Sequence, residues 1–400
     1  MHAQHDIVIV GGGLVGASLA IALENSGLDV AMVEAAPPGA LPPVFDERNL
    51  SLAEASCHAL QALKIWPLLQ TASPIRRIHA SRVGDFGRVS LDASEVGREA
   101  FGHVVIARDF GEALEKRLGD VASLTRYRPA RFIDTQGLAD GRREVRVADA
   151  EGEHRITTRL LVGADGMESA VRSSLGIDAT RHDYGQTLFV SRVRPQRPPD
   201  GTAWERLGPH GPTAFLPRFD RHYGVVHGVP SEEADAVAAL DEAAWLARLQ
   251  DAFGWRAGRF VASGERSRYP AVRVVAERLT APRAVLLGNA AQSIHPIGTQ
   301  GFNLGLRDAL TLVEAITAHG LDDAAMLDAY AARRSEDRAR TLAFSDGMAR
   351  ASSNEGLAMR GLRSLGMAAL ANVPGLRAQV AAGGMGYRGD VPAMCRENAR

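Results

Sequence analysis

The 400-residue chain contains very little cysteine, and this scarcity limits the classes of protein to which it can belong. Cys57 and Cys395 are too few for a disulfide framework, and they lack the spacing of metal ligands. The chain also offers no Ser-His-Asp order that would indicate a hydrolase. We therefore expect a protein of a reducing compartment with no metal site.

Net charge and long apolar runs are nearly absent as well. The formal net charge is -1, which gives no electrostatic footprint for nucleic acid, so no nucleic-acid partner is expected. No apolar run is long enough to span a bilayer, and no signal-peptide pattern precedes the first predicted strand. We expect a cytoplasmic protein, and the sequence leaves open both a peripheral contact with the inner membrane and the oligomeric state.

The chain does have enough apolar residues for a large core. Hydrophobic residues make up 46% of the 400 positions, which favours two domains over one.

A glycine-rich motif stands near the N-terminus. Residues 6–10 form a short β-branched run that is typical of a strand buried in a parallel sheet, and a segment of helical composition follows the motif. Gly11 would make the tight turn, Gly13 would let the backbone approach a pyrophosphate, and Gly16 would allow close helix packing. The order of strand, loop and helix predicts a dinucleotide site at a helix N-terminus.

An acidic residue ends the second predicted strand. Glu34 can accept hydrogen bonds from both hydroxyls of an unphosphorylated adenosine ribose. The alternative is an ordinary strand–helix–strand unit with a glycine-rich turn, in which neither Glu34 nor the glycines bind a cofactor.

A second glycine loop lies far downstream. A predicted strand at residues 284–287 leads into Gly288 and Asn289, and a later loop leads through Gly301 into a helix that begins around Asn303. This helix would direct its positive end at a negatively charged ring, and Asn303 could hydrogen-bond the ring edge. Two such loops can hold the two ends of one large cofactor, although a glycine-rich helix cap on a sheet is the alternative.

The element pattern predicts a discontinuous α/β architecture. A dinucleotide-binding domain is expected at residues 1–75, 101–180 and 276–330. A substrate domain with an antiparallel sheet is expected at residues 76–100 and 181–275, inserted into the first. Residues 331–400 have the composition of a helical C-terminal region.

Three ordered motifs now resemble one family. They are Gly11-x-Gly13-x-x-Gly16, then Gly163-Ala164-Asp165-Gly166-x-x-Ser169-x-x-Arg172, then Gly288-Asn289-Ala290-Ala291 with His295-Pro296 and Gly301-x-Asn303. The set resembles flavin-dependent aromatic hydroxylases of the p-hydroxybenzoate hydroxylase type, and residues 295–308 are similar to the ubiquinone-biosynthesis hydroxylases. Residues 252–256 and 266–270 look most like the 2-octaprenyl-6-methoxyphenol hydroxylase branch (UbiH).

This resemblance implies a Rossmann-like FAD-binding domain and a monooxygenase. NAD(P)H, bound only transiently, would reduce FAD, and O2 would form a C4a-hydroperoxyflavin that hydroxylates a polyprenylated methoxyphenol in ubiquinone biosynthesis. A ubiquinone-biosynthesis protein complex is an implied partner. Another ring position, a small phenol, a halogenase and a non-catalytic flavin-bound scaffold stay open as alternatives, although the Trp-x-Trp-x-Ile-Pro motif of halogenases is absent.

The resemblance also implies roles for residues outside the glycine loops. Arg48 and Arg108 match flavin-contacting arginines, and solvated surface arginines are the alternative. Asp165 and Gly166 match a pair near the pyrophosphate, and an ordinary turn is the alternative.

Two positions depart from the common family pattern. Asn289 stands where the wider family usually has Asp, although the ubiquinone branch is similar in having Asn. Thr299 stands where a glycine is usual, and a β-branched residue disfavours positive φ.

Catalytic and substrate residues are the last implied set. His295 and Pro296 are candidates for catalysis or for shaping the cavity, since a histidine without an identified partner has no assigned proton-transfer role. An apolar passage for a prenyl tail is expected, with candidate lining residues Phe215, Leu216, Pro217 and Phe302.

Overall fold

The computed structural model of the chain describes residues 2–43 and 45–397. Residues 1, 44 and 398–400, which belong to the predicted N-terminal domain and helical region, lie outside the described residues. Within the described ranges the strands form three sheets, of eight, nine and three strands.

The eight-stranded sheet holds the N-terminal motif. Its strands are β1 (His2–Val10), β2 (Val30–Val33), β8 (Leu124–Tyr127), β9 (Arg131–Gly137), β10 (Arg143–Asp149), β11 (Gly152–Gly163), β18 (Thr280–Ala281) and β19 (Ala284–Leu286). Neighbours in the order β19-β11-β1-β2-β8 pair in parallel, whereas β18, β10 and β9 pair antiparallel at the periphery. Ile7, Val8 and Ile9 are fully buried, as a β-branched run in a parallel sheet requires.

The parallel register brings three loops to one edge of this sheet. Strands β1, β11 and β19 end at Val10, Gly163 and Leu286, so the loops that follow them start side by side. The carboxyl ends of parallel strands are where ligands bind in such sheets. All three family motifs therefore converge on one edge.

The nine-stranded sheet matches the expected antiparallel sheet except for one parallel pair. Its strands are β5 (Arg77–Arg82), β6 (Arg88–Asp92), β12 (Ala179–Pro195), β13 (Thr202–Gly208), β14 (Gly211–Pro217), β15 (Tyr223–Pro230), β16 (Phe260–Ser263), β17 (Ser267–Ala276) and β20 (Gln292–Ser293). The parallel pair is β5 with β13. One face of the sheet packs on the helix at Glu242–Phe253, and we call the opposite face the inner face.

The three-stranded sheet and the helices complete the fold. The small sheet contains β3 (Asn49–Ala53), β4 (Ser73–Pro74) and β7 (Gly102–Ile106). The helices are α1 (Leu14–Ala22), α2 (Glu54–Ala62), α3 (Ala107–Gly119), α4 (Ala170–Ser174), α5 (Ala234–Ala238), α6 (Glu242–Phe253), α7 (Gly301–His319), α8 (Ala325–Ser353), α9 (Leu357–Asn372) and α10 (Pro374–Gly384).

The long helix α8 is fixed to α7 by buried ion pairs. Arg334 on α8 has no exposed surface, and its Nε donates to Asp308 of α7 at 2.8 Å. Arg307 of α7 donates in turn to Asp337 of α8 at 2.7 Å. The first part of the C-terminal region is therefore anchored to the helix that follows the second glycine loop. Among the described residues, no helix has the length and apolarity needed to cross a membrane.

Candidate functional site

The N-terminal loop leaves room only for glycine at two of its motif positions. Gly11 has φ +106°, and a Cβ there would lie 2.4 Å from the carbonyl oxygen of Ala164. A Cβ on Gly16 would lie 1.9 Å from the carbonyl oxygen of Gly11. Gly13 precedes the first turn of α1 in extended conformation, so the N–H groups of that turn face the same edge. This is the shape of an anion-binding helix N-terminus.

Glu34 lies directly beside this loop. One carboxylate oxygen accepts the N–H of Gly12 at 2.7 Å, and the other accepts the N–H of Ala36 at 2.7 Å. These bonds fix the carboxylate at the end of β2, and each oxygen retains acceptor capacity for a ribose hydroxyl. The position fits the predicted ribose contact.

The second glycine loop packs against the first helix. Gly288 has φ +55°, and a Cβ there would lie 2.8 Å from the side chain of Val15 on α1. A Cβ on Gly305 of α7 would lie 2.7 Å from the same side chain. Asn289 stands exposed beside Gly288, in a position to contact a cofactor chain. The two loops therefore lie side by side at one edge of the sheet, and their glycines allow the second loop and α7 to pack closely on α1.

The Asp165 turn serves the protein itself. Its carboxylate accepts the backbone N–H of Val171 at 3.0 Å and also the hydroxyl of Ser169. Gly166 has φ +87°, and a Cβ there would meet only open space, so the glycine is required for the turn and not for close approach. This geometry favours the turn alternative over the implied cofactor role of the Asp165 side chain.

Arg172 from the same motif joins two of the loops. Its guanidinium donates to the carbonyl of Ala290 at 3.0 Å and to the carbonyl of Met167 at 2.9 Å. The residue is 8% exposed, so these bonds are made inside the protein. The contact explains physically why an arginine belongs in this motif.

The Asn303 side chain was wrongly expected to face the flavin edge. Its amide accepts the N–H of Ala53 and the hydroxyl of Ser56, and it donates to the carbonyls of Ser51 and Thr299 at 3.0 Å each. These four bonds use both ends of the amide, which is 1% exposed. Asn303 therefore ties α7 to β3 and α2, and only the backbone of the helix start is left for a ligand.

Thr299 adopts the positive φ that its β-branched side chain disfavours. The φ angle of Thr299 is +52°, and that of the preceding Gly298 is +73°. A left-handed β-branched residue costs about 1–3 kcal/mol and persists only where its surroundings hold it. The Asn303 amide bond to its carbonyl is one such restraint. The loop keeps the left-handed geometry that a glycine would adopt freely, and Gly301 begins α7 two residues later.

Arg48 lies in the loop directly before β3, and Arg108 lies in the first turn of α3. Arg48 donates to Asp46 at 2.8 Å and lies over the Tyr269 ring at 4.6 Å from its centroid. Arg108 is half-exposed and pairs with Glu47. The two arginines thus share one acidic loop, and Arg48 links it to the nine-stranded sheet.

His295 is buried in a structural setting and not placed for proton transfer with a ligand. It is 1% exposed, its Nδ1 accepts the N–H of Ile297, and its Nε2 lies 3.3 Å from the Gln186 side-chain oxygen. This pattern requires a neutral ring with the proton on Nε2. Burial lowers its pKa to about 4, and Asp346 opposes that shift only in part. The catalytic expectation for His295 is therefore wrong, and Pro296 acts through the backbone, where its carbonyl accepts the N–H of Thr299 at 2.8 Å.

This setting predicts a pH dependence of stability. The folded-state pKa of His295 lies below the ordinary 6.5, so its contribution is complete above pH 6.5 and is lost as the pH falls toward 4. We expect His295→Gln to remove a pH-dependent part of the free energy of unfolding of up to about 3 kcal/mol. Denaturant titrations across this range measure it, with the exposed His210→Gln as control. Parallel wild-type and His295→Gln curves would contradict the assignment.

The expected substrate lining is wrong at Phe215 and needs revision at its neighbours. Phe215 is fully buried and stacks on Phe260 at 4.7 Å, on the face covered by α6. Leu216 points to the inner face but packs with Ile75. Pro217 is buried. Phe302 is partly exposed on the first turn of α7, with its ring edge-on to another phenylalanine, so it stays a candidate.

Sequence reasoning missed Glu205, a carboxylate on the inner face of β13. Its strand neighbours Trp204 and Arg206 both contact Phe253 on the α6 side, so strand alternation places Glu205 on the inner face. Leu207, on the same face, packs with Ile297 of the loop beside α7. The available signal was a charged residue in phase with the apolar Ala203 and Leu207.

Comparisons with known proteins agree with the FAD site that this geometry indicates. A family model described as an FAD binding domain matches residues 4–345. Ubiquinone hydroxylase UbiL of Rhodospirillum rubrum is 34% identical over 374 residues, covering 91% of this chain and 86% of that protein. The 3-demethoxyubiquinol 3-hydroxylase of Escherichia coli is 30% identical over 317 residues, covering 78% of this chain and 79% of that protein. The chain belongs to the FAD-dependent hydroxylases of ubiquinone biosynthesis.

Solved structures confirm the expected fold class. The p-nitrophenol 4-monooxygenase PnpA from Pseudomonas putida DLL-E4 superposes with a TM-score of 0.79 at 16% identity, covering 97% of this chain and 99% of that one. With the family match and the ubiquinone hydroxylase relatives, the chain is an FAD-dependent aromatic-ring monooxygenase, a flavoprotein. The residues around the glycine loops fit FAD, because the tight turn at Gly11 and the close packing at Gly16 set the N-terminus of α1 at the sheet edge and Glu34 offers the ribose acceptor.

Proposed function

We propose that the chain hydroxylates the ring of a polyprenylated methoxyphenol during ubiquinone biosynthesis. One observation carries the proposal: the loop that begins α7 packs directly against the apolar inner face of the nine-stranded sheet, where Leu207 contacts Ile297. A ring held on that face would lie next to the flavin loop. The ubiquinone hydroxylases among the relatives support a quinone precursor as substrate.

When bound, FAD supplies the electron transfer from NAD(P)H and the activation of O2. The chain's own residues bind and orient. The first turn of α7 presents free N–H groups and its positive end at the edge of the site, which favours negative charge there. Asn303 and Thr299 hold that turn in place, and the buried ion pairs of α8 support it from behind.

We expect the prenyl tail to lie beside two apolar clusters of the inner face, whose own side chains are buried within the protein. Ala203, Leu216 and Ile75 form one apolar cluster there, and Leu207, Ile297 and Ala349 form another. Each tail CH2 group buried on such surfaces contributes about 0.8 kcal/mol. The tail would then dominate binding, and the phenol head would set the position of the ring.

The helices α9 and α10 are proposed as the contact with the inner membrane, on its cytoplasmic side. One side of this pair packs on the sheet through Met367, Leu370 and Ala381. The other side exposes large apolar residues: Leu357 at 83%, Leu362 at 64%, Leu365 at 66%, Val373 at 44%, Leu376 at 40% and Val380 at 40%. Arg360 is half-exposed beside them and pairs with Asp85 at 3.7 Å, so the apolar side chains carry the proposed contact.

This surface gives a direct prediction for lipid binding. The double variant Leu362→Glu/Leu365→Glu is expected to bind anionic vesicles at least about 10-fold more weakly, because two apolar anchors become charges. Vesicle co-sedimentation measures the binding. Val261→Glu, at an exposed apolar residue of β16, is the control and should bind as wild type. Equal binding of all three proteins would remove the membrane role from these helices and favour packing as their only role.

Deletion of the gene in its host tests the proposed function. Accumulation of a polyprenylated methoxyphenol supports the proposed function, and an unaltered quinone pool would contradict it. A different accumulating precursor would place the reaction at another ring position. Phenol-stimulated NAD(P)H oxidation by the pure protein separates an enzyme from a flavin-bound scaffold, and product analysis separates a hydroxylase from a halogenase.

A further inference from the structure

Glu205 is an unpartnered carboxyl group on the inner face of the nine-stranded sheet. Among the residues that the structure describes, its carboxylate has no hydrogen bond and no ion pair. A buried carboxylate without a partner is destabilising, so its presence needs a reason. Burial alone raises its pKa to about 7, yet the residue keeps a partial exposure. The group is therefore surrounded by protein atoms and still reached by solvent.

The neighbours of Glu205 leave space beside it. Directly across the ladder on either side stand Ala80 of β5 and Ala214 of β14, both of which carry a single methyl group. Side chains paired directly across strands have Cβ atoms about 4.5–5.5 Å apart. The carboxyl group of Glu205 therefore stands in a row between the methyl groups of two alanines. A flat ring fits into such a shallow row, with its polar group at the carboxyl.

The two inner-face clusters flank this row. On one side Ala203 and Leu216 pack toward the three-stranded sheet, and on the other Leu207 packs on Ile297. Ile297 belongs to the turn that ends at the strained Thr299, which is the turn before α7. Glu205 therefore lies between two apolar clusters of the inner face, and that face reaches the loop before α7. Arg82, which stands across from Leu207 on this face, is engaged with Asp85 and with the carbonyl of Ser352.

We infer that Glu205 is a catalytic residue that accepts the hydrogen bond of the substrate's phenol hydroxyl and then its proton. The inference rests on the proposed function and deepens it, since a phenol head is what distinguishes the substrate from any other prenyl lipid. A carboxylate without a paired cation, flanked by apolar side chains, favours a ligand with a hydrogen-bond donor and no negative charge. Phenols meet that description, and benzoates do not.

The proton transfer assists oxygen insertion in a balanced way. As the O–H bond breaks, its electron pair moves into the ring, and a ring carbon ortho or para to the oxygen would form a bond to an OH group supplied from O2. The O–O bond breaks in the same step, its electron pair goes to the second oxygen atom, which ends as water, and NAD(P)H supplies the two electrons of the overall reaction. The phenol proton goes to Glu205. When the ring regains aromaticity, the proton on the attacked carbon is lost to water, and the ring oxygen takes a proton back from Glu205. The carboxylate is unchanged at the end.

Two variants separate binding from proton transfer. Glu205→Leu removes the acceptor, and Glu205→Gln keeps an acceptor oxygen but no base. The probes are a geranylated 2-methoxyphenol and the same compound with its hydroxyl methylated. The changes they cause in the flavin absorbance of the FAD-loaded protein measure affinity, and the products of NAD(P)H oxidation measure the reaction.

Wild type is expected to prefer the phenol over its methyl ether by about 10-fold or more, since a hydrogen bond to a charged group is lost in the ether. Glu205→Leu should bind both equally, with a thermal midpoint no lower than wild type because it buries no lone carboxyl group. Glu205→Gln should keep part of the preference but hydroxylate about 100-fold more slowly, releasing hydrogen peroxide instead. Glu232→Gln, at an exposed turn residue, is the control.

The outcomes are distinguishable. A wild-type protein that hydroxylates the probe while Glu205→Leu retains the preference, or while Glu205→Gln keeps the wild-type rate, overturns the role of Glu205 alone. A wild-type protein that binds the probes but forms no hydroxylated product overturns the proposed function. In that case, loss of the preference for the phenol over its methyl ether in Glu205→Leu still shows whether this carboxylate binds a phenol hydroxyl.

Discussion

Gly13→Val is expected to abolish FAD retention and leave a folded protein. Gly13 has φ -72° and an extended backbone, which a valine can adopt. A valine side chain there would occupy the approach of the pyrophosphate to the N-terminus of α1. We expect FAD affinity to fall at least about 100-fold, measured as flavin absorbance per polypeptide after gel filtration.

Gly11 and Gly16 are unsuitable for this experiment. A Cβ at either position meets backbone atoms of the protein itself, so loss of FAD there would not be separable from misfolding. Gly137→Val at the end of β9 is the matched control, because open space surrounds that glycine. If Gly13→Val binds FAD as Gly137→Val does, this loop is not the pyrophosphate site.

Asp308→Ala should cause the largest loss of stability. Asp308 is 1% exposed and accepts hydrogen bonds from Arg334 at 2.8 Å and from Gln292 at 2.6 Å. Without it, the fully buried Arg334 retains only Asp337 as a counter-ion. Removing one partner from a buried pair costs about 3–5 kcal/mol, because the remaining charge is left without compensation.

Denaturant titration of the free energy of unfolding measures this loss. Glu112→Ala, on the exposed side of α3, is the control and should change stability by less than about 0.5 kcal/mol. Because Asp308 lies on α7, we also expect weaker FAD retention in Asp308→Ala. A loss of less than about 1 kcal/mol would mean that α7 and α8 do not depend on this network.

The parts of the site that the sequence predicted are local ones. Gly11, Gly16 and Glu34 owe their roles to a strand, a turn and a helix that adjoin in the chain, so spacing alone is informative. The order of motifs likewise identified the fold, which the comparisons confirm.

The errors concern side chains whose partners are distant in sequence. Asn303 bonds Ser51 and Ala53, some 250 residues away, and this use of its amide left no trace in the motif. His295 owes its neutral state to burial under Gln186 and α8. Both were assigned to the cofactor or to chemistry because a motif gives residue type but not hydrogen-bond partners.

The prediction of the substrate-lining residues failed for a different reason. Alternation along β14 puts Phe215 and Leu216 on opposite faces, but only the position of α6 decides which face is core. Nothing in the sequence indicates which side of the sheet α6 covers. Glu205 was missed for the same reason, since its significance depends on the face it occupies.

The most direct test of hydroxylation is oxygen-isotope incorporation. The FAD-loaded protein is given NAD(P)H, a geranylated 2-methoxyphenol and 18O2, and the products are analysed by mass spectrometry. The account predicts a ring-hydroxylated product that carries one 18O atom, and no label in the product when 18O is supplied only as water. Oxidation of NAD(P)H with hydrogen peroxide as the sole oxygen product, for this and longer-tailed methoxyphenols, would contradict it.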